Sequence, residues 1–186
     1  MNRTQIFSLA SLALLIASIG AVAAMWSETL KVNVNVNTGE VDVKWSNWSC
    51  NDSGADPQIP NSTFTNDEGK DVAKCYVQAE RYDEEGDVIK LNVTITNAYP
   101  GYHAVITLVV DNVGSIPVKL YSSSIGEYNS RALSVSLDKP SDTQIHPNEN
   151  ATYTLTIDVL QSAAENQDYS FEVTLVFAQW NEVSGD

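Results

Sequence analysis

The sequence predicts an all-β protein, a β-sandwich of Ig or jelly-roll type with about nine strands. Two observations predict this fold class. Beyond residue 25 the apolar residues alternate with polar ones at every second position, and helical periodicity is almost absent. Short stretches rich in glycine, proline, asparagine and aspartate separate the alternating segments at sandwich spacing, with no βαβ rhythm and no internal repeat.

Residues 1–24 have the pattern of a secretory signal peptide. Arg3 supplies a positive charge, residues 6–24 are almost purely apolar, and small residues at positions 21–24 suit signal-peptidase cleavage. An apolar stretch of about 19 residues is also long enough to cross a bilayer as an uncleaved anchor. We favour cleavage because the small residues stand where the peptidase needs them, and we expect no membrane contact afterwards.

The alternation assigns the strands in order along the chain. Residues 89–95 are a clear case, because every second residue is apolar and Asn92 between them faces solvent. Residues 103–111 are almost continuously apolar, which indicates a strand buried on both faces. A long polar loop is expected at 46–71 and a helical turn at 161–168. The predicted strands are residues 30–36, 41–45, 72–79, 89–95, 103–111, 116–121, 133–137, 152–159 and 169–177.

The charge balance excludes one large class of partner. The chain has 24 acidic against 10 basic residues and a formal net charge of −14. Such a surface repels phosphate, so neither nucleic acid nor an anionic membrane is an expected partner. With 43% hydrophobic and only 18% charged residues, the chain is nevertheless a folded domain and not a disordered acidic tail.

Cysteines and glycosylation sequons support export. Cys50 and Cys75 are an even pair that fits one disulfide in an oxidising compartment, and two free buried thiols are the alternative. Asn-x-Ser/Thr sequons also arise by chance in a chain this rich in Asn, Ser and Thr, but three fall within residues 47–63. The candidate glycosylation sites are Asn47, Asn51, Asn61, Asn92 and Asn150.

The residues make no positive case for catalysis. His103 and His146 do not belong to any zinc-ligand spacing, and neither a Gly-x-Ser-x-Gly turn nor a phosphate-binding loop is present. The acidic run at 83–87 lacks the alternation of a calcium loop and is interpreted as a solvated turn. We therefore expect no enzymatic activity, no catalytic residue, no cofactor and no metal; an exported hydrolase is the weakest hypothesis.

The first mature segment is unusual. Leu30, Val32, Val34 and Val36 alternate with polar residues directly after the expected cleavage site. A strand at the end of a chain can pair within its own sheet, or it can cross over and complete the sheet of a neighbour. Repeated head to tail, the second arrangement does not close and builds a filament. The alternation by itself does not decide between these two arrangements.

Several short stretches, distributed over most of the mature chain, carry a family resemblance. They are residues 24–30 (AMWSETL), 36–43 (VNTGEVDV), 95–102 (ITNAYPGY), 110–118 (VDNVGSIPV), 169–173 (YSFEV) and the Gln-Trp pair at 179–180. A signal peptide that runs directly into the first of these stretches is similar to exported fibre subunits. The chain resembles the TasA-like (camelysin-like) biofilm matrix proteins and the related archaeal bundling-pilus subunits.

The resemblance implies an extracellular, jelly-roll filament subunit whose partner is a second copy of itself. Residues 25–36 would be a donor strand that inserts into the next subunit, and residues 37–186 would form the jelly-roll sandwich. The inserted side chains would be Leu30, Val32, Val34 and Val36, with Trp26 near the junction. Polymerisation of this kind is donor-strand complementation, and lateral bundling of the filaments is expected. Some members of the family are described as metalloproteases, but this chain has no metal-ligand motif that supports such a role.

A binding module is the alternative function. In that case the protein would be a secreted monomeric sandwich that holds a sugar or a protein through the 46–71 loop. Trp45 and Trp48 would offer aromatic faces for stacking on a sugar, although aromatic residues at a strand end more often belong to a core.

Overall fold

The structure, a computed structural model, describes residues 2–22, 28–63 and 65–183. Over those residues the protein is all-β apart from one N-terminal helix, and the prediction of an all-β sandwich is confirmed. The elements are α1 (Arg3–Val22), β1 (Val43–Cys50), β2 (Lys74–Tyr82), β3 (Val88–Thr96), β4 (His103–Asn112), β5 (Val118–Ile125), β6 (Leu133–Asp138), β7 (Gln144–Ile145), β8 (Asn150–Val159) and β9 (Val173–Gln179).

The strands form three antiparallel sheets. The largest has the order β1-β4-β8-β6, with Ile106 of β4 opposite Cys50 on one side and Leu155 on the other. β2 and β3 form a two-stranded sheet, and β7, β5 and β9 form the third in that order. The inner faces of the two smaller sheets pack against the same apolar core as the large sheet, which makes the fold a sandwich.

The central strands β4 and β8 supply most of this core. Every second side chain of β4 is buried and those between are half-buried, so one face of this strand is covered less fully than its continuous apolar sequence predicts. The ring of Tyr153 on β8 meets Phe177 on β9 edge-on, with centroids 6.2 Å apart, and joins the two layers. Burial raises the pKa of Tyr153 to about 12. The core side chains of the two strands are Ala104, Ile106, Leu108, Val110, Tyr153, Leu155, Ile157 and Val159.

The long loop starts later than the predicted position 46. β1 continues to Cys50, so the loop runs from residue 51 to 73. A β-bulge between Trp45 and Asn47 shifts the alternation by one position, and the strand therefore looks like polar loop sequence from residue 46 onward. Trp45 and Trp48 consequently lie on a strand and pack against the core, and neither is at a loop edge.

Other assignments also differ from the predictions. Residues 30–36 are not assigned to a strand, and β2 spans Lys74–Tyr82 where residues 72–79 were predicted. β5 continues through three serines to Ile125, because a register shift after Leu120 again disturbs the alternation. β9 begins at Val173, while Tyr169 and Phe171 pack against the core from an irregular segment. Residues 161–168 form turns without a helix.

The chain divides into two compact units, Met1–Asn37 and Thr38–Asp186. The first contains α1 and residues 28–37, which are not assigned to any strand. Within the described part of the chain, no helix combines the length and the apolar character needed to cross a membrane. The expected cleavage site after residue 23 or 24 lies outside the described residues, as does Trp26.

Candidate functional site

The predicted donor residues form an exposed apolar segment, residues 30–36. Leu30, Val32, Val34 and Val36 are 92%, 84%, 78% and 77% exposed. They are more exposed than the aliphatic side chains described in the sandwich, where Val72 reaches 49% and the core residues Ile106 and Val118 are 0% exposed. Four alternating aliphatic side chains left in water are unfavourable by the hydrophobic effect, and such a patch commonly marks an interaction site.

The stretch that follows the apolar segment is firmly held. The backbone N–H groups of Val113 and Gly114 both donate to the carbonyl oxygen of Asp42, at 3.1 Å each. Ser115 donates its N–H to the carbonyl oxygen of Glu40, and its hydroxyl accepts from the N–H of Glu40 at 2.8 Å. The β4–β5 turn therefore anchors residues 40–42 of the sandwich.

Glycine at position 114 makes this anchor possible. A Cβ atom there would lie 2.5 Å from the carbonyl oxygen of Glu40 and 2.7 Å from the N atom of Asp42. The side chain of Asn112 supports the same turn, accepting from the N–H of Gly114 at 3.0 Å and donating to the carbonyls of Ile116 and Ile145, both at 2.9 Å. The motif VDNVGSIPV thus has a structural role, since it holds the base from which the apolar segment extends.

Two of the edge strands belong to the smaller sheets and carry apolar side chains toward the core. Among the described residues, β3 pairs only with β2, and β9 pairs only with β5. The inward apolar side chains of both strands pack against the core but are only half-buried, in contrast to those of β4 and β8. These half-buried residues are Leu91, Val93, Ile95, Val173, Leu175 and Phe177.

The cysteines meet as predicted. Cys50 at the end of β1 is bonded to Cys75 on β2, with Cα atoms 6.1 Å apart. The closed loop has a sequence separation of 25 residues, for which chain entropy predicts about 3–4 kcal/mol of stabilisation. Beside the bond, Trp48 donates from its indole Nε1 to the carbonyl oxygen of Val77 at 3.1 Å. The indole is thus engaged inside the protein, which argues against a sugar-stacking role.

The five sequon asparagines are all exposed. Asn92 lies on the solvent face of β3, as the alternation predicts, and its amide donates to the hydroxyl of Thr94 in the same sequon at 3.2 Å. Asn51 differs from the others because its side-chain oxygen accepts from the N–H of Val105 at 2.8 Å. A glycan at Asn51 would have to leave that bond intact.

The acidic turn between β2 and β3 contributes to a cluster of carboxylates. Single oxygens of Asp42, Asp83 and Asp87 lie within 4.8 Å of one another. Desolvation, followed by the negative charges of Asp87 and Asp83, raises the pKa of Asp42. Lys44 lies against the cluster, with its Nζ 2.8 Å from Asp87. The lysine offsets part of this repulsion, and the turn is more organised than a freely solvated one.

The two histidines are not brought together with a nucleophile. His103 on β4 contacts Asp158 on β8 through Nδ1, at 2.6 Å, as a cross-strand pair. His146 is exposed, and its ring contacts only the amide of Gln144 among the hydrogen bonds described. In the hydrogen bonds described, neither histidine contacts a hydroxyl or thiol that would form a nucleophile–base pair.

Comparison with known proteins identifies no relative. No family model, no curated protein and no solved structure matches the chain.

Proposed function

We propose that the chain is a structural subunit of an extracellular filament that polymerises by donor-strand complementation. The observation that carries the proposal is the exposure of the four alternating aliphatic side chains of residues 30–36. Residues 30–36 have no strand partner among the described residues and have one apolar face, which matches the requirement for β-strand addition to a sheet edge. In this proposal the apolar segment of one subunit becomes a strand only inside the next subunit.

The free energy gained when the apolar segment inserts into the next subunit is large enough for a long-lived junction. Full burial of one aliphatic side chain contributes about 1.5–3 kcal/mol, so four contribute roughly 6–12 kcal/mol before the cost of ordering the strand. A ladder of backbone hydrogen bonds adds to this gain and sets the register. The polar residues between the aliphatic ones would then face solvent along the filament.

The acceptor is proposed to be the free edge of β3. Among the described residues β2 and β3 pair only with each other, and β2 is tied to the large sheet through Cys50–Cys75 and through the bond from Trp48 to Val77, so we choose β3 as the strand of this sheet that accepts the donor. β9, which lies over β8 where Phe177 meets Tyr153, offers a second free edge. A strand added at β3 would cover the half-buried apolar side chains along that edge.

The family and the location belong to the same proposal. The resemblance to TasA-like and archaeal bundling-pilus subunits rests on the sequence stretches given above, and it implies the jelly-roll topology. Removal of residues 1–24 as a signal peptide would free the donor and place the protein outside the cell, where Cys50–Cys75 stays oxidised. The net charge of −14 would keep filaments apart at low salt and let them bundle when salt screens it.

Negative-stain microscopy of the processed, secreted protein, concentrated without denaturant, tests the proposal. We expect uniform thin filaments from the wild-type chain. The double substitution Val32→Asp/Val34→Asp places two charges on the face to be buried, and it should abolish filaments while the circular dichroism spectrum of the sandwich persists. The matched control Asn33→Asp/Asn35→Asp adds the same charge to the opposite face and should still polymerise.

Two results would overturn the proposal. A wild-type protein that stays a monodisperse monomer at high concentration would support the binding-module alternative. Equal loss of filaments in both double variants would show that charge alone disrupts assembly and that alternate side chains are not inserted.

A further inference from the structure

A second group of carboxylates gathers at the base of the long loop and is separate from the apolar segment. Single oxygens of Asp52, Asp56 and Asp71 lie within 4.8 Å of one another. Asp52 and Asp56 stand at the start of the loop, just after Cys50, and Asp71 stands at its end. The three side chains therefore connect the same two chain ends that the disulfide joins.

The backbone fixes two of these carboxylates in place. Asp56 is 3% exposed and accepts from the N–H groups of Val72 and Ala73 at 2.9–3.1 Å. Asp52 accepts from the N–H of Cys75 through Oδ2, at 2.8 Å. Burial raises the pKa of Asp56, but the N–H groups of Ala73 and Val72, together with the Tyr99 hydroxyl and the charge of Lys74, hold the pKa below its usual value. The buried carboxylate is thus kept ionised.

Unpartnered buried oxygens at this place provide an independent sign of a ligand. Oδ1 of Asp52 is buried without a hydrogen bond within 3.5 Å, and so is the hydroxyl of Tyr102, a residue that is 0% exposed. The Tyr102 hydroxyl faces Asp52, and burial, followed by the negative charge of Asp52 and a long hydrogen bond to it, raises the tyrosine pKa. Oε1 of Gln58 is a third such oxygen, and its amide donates to the hydroxyl of Tyr99, which contacts Asp56.

Buried polar atoms without partners are rare in folded proteins, and each one calls for a missing partner. Of the four such side-chain atoms found among the described residues, Tyr153 accounts for one and this cluster accounts for the other three. A missing group that suits carboxylate, amide and hydroxyl oxygens together is a hard cation with its bound water.

We propose that Asp52, Asp56 and Asp71 bind a calcium ion that closes the base of the 51–73 loop. Calcium accepts six to eight oxygen ligands in irregular arrangements, whereas magnesium requires a near-ideal octahedron. The three carboxylates would ligate the ion directly. Gln58 Oε1 is available as a further ligand, and the Tyr102 hydroxyl would donate to an ion-bound water or to Asp52.

Lys74 competes with the ion in the calcium-free protein. Its Nζ pairs with Asp71, and both side chains are partly exposed. Calcium binding would release Lys74 to solvent and leave Asp71 to complete the ligand set. The site lies wholly within the sandwich unit, so it does not depend on whether the chain forms filaments.

Thermal unfolding of the purified protein in calcium chloride and in EDTA tests the proposal. Selective binding to the folded state should raise Tm by about 5–10 °C at a calcium concentration about 100 times the Kd. Terbium excited through the nearby tyrosines should luminesce on binding, and calcium should quench the signal by competition more effectively than magnesium.

Two matched variants locate the ion. Asp71→Asn removes one exposed carboxylate of the site and should lose most of the calcium-dependent Tm rise and of the terbium signal. Asp83→Asn removes one carboxylate from the other cluster and should keep both. The same Tm in calcium and EDTA for the wild-type protein overturns the proposal. Equal responses from the two variants also overturn it, since general neutralisation of an acidic surface would produce them.

Discussion

The indole Nε1 of Trp48 donates a hydrogen bond to the backbone carbonyl oxygen of Val77 over 3.1 Å, which ties β1 to β2 next to the disulfide. This contact orients the β2–β3 sheet against the edge of the large sheet. β3, the other strand of this sheet, pairs only with β2 among the described residues, and its free edge is the proposed acceptor.

Replacement of this tryptophan should destabilise the sandwich. Trp48→Phe keeps an aromatic ring but removes the N–H donor, so the carbonyl of Val77 loses its side-chain partner. We expect the free energy of unfolding to fall by about 1–3 kcal/mol, measured by urea denaturation. Trp180→Phe is the control, because Trp180 is 48% exposed, and it should change the value by less than about 0.5 kcal/mol. Equal effects from the two variants would contradict a structural role for the indole.

The glycine in the β4–β5 turn should resist substitution. Gly114→Ala places a methyl group against backbone atoms of Glu40 and Asp42, which cannot move aside as a flexible side chain would. The expected loss is about 1–3 kcal/mol of unfolding free energy. Gly69→Asn serves as the comparison, because residue 69 has φ +66° and open space around it, and asparagine tolerates that conformation. An unchanged free energy of unfolding for Gly114→Ala would show that the backbone of residues 40–42 can shift to accommodate the methyl group.

Asn51 should contribute to stability, and the neighbouring sequon asparagine should not. The backbone N–H of Asn51 donates to the carbonyl oxygen of Val105, and the side-chain oxygen of Asn51 accepts from the N–H of Val105. These two bonds extend the β1–β4 ladder by one pair. Asn51→Ala should lower the unfolding free energy by about 1 kcal/mol. Asn47→Ala should leave it within about 0.5 kcal/mol in protein made without glycans. A larger loss of unfolding free energy for Asn47→Ala than for Asn51→Ala would contradict a structural role for the Asn51 side chain.

The acidic cluster at Asp42 should make stability depend on pH. The folded protein favours the protonated form of Asp42, because desolvation and the charges of Asp87 and Asp83 raise its pKa. The stability contributed by this group is therefore lost as the pH rises from about 3 through the raised pKa. Asp42→Asn should accordingly have a higher Tm than the wild-type protein at neutral pH, and the difference should disappear near pH 3, to about zero.

Differential scanning calorimetry across that pH range checks the sign. Asp168→Asn, at an exposed loop carboxylate, is the control and should have the wild-type Tm throughout. A difference between Asp42→Asn and wild type that grows as the pH falls would show that Asp42 stabilises the fold as an anion.

Sequence alternation located most of the strands correctly where the chain is regular. Residues 89–95 and 152–159 fall almost wholly within β3 and β8, and Asn92 faces solvent as expected. The errors occur where a bulge shifts the period, after Trp45 and after Leu120, because a single extra residue exchanges the inward and outward faces. The even cysteine count favoured a disulfide over two free thiols, and the structure contains the one pairing that two cysteines allow.

The sequence by itself determined the all-β class, the pairing of Cys50 with Cys75 and the apolar face of residues 30–36. These features follow from neighbouring residues or from parity, and a strand places its side chains by local alternation alone. Only the tertiary structure decided that Trp48 bonds to Val77, that β3 and β9 keep free edges, and that Asp52, Asp56 and Asp71 converge. Each of these features depends on residues that are far apart along the chain. Strand pairing and the packing of layers decide how close such residues come in space.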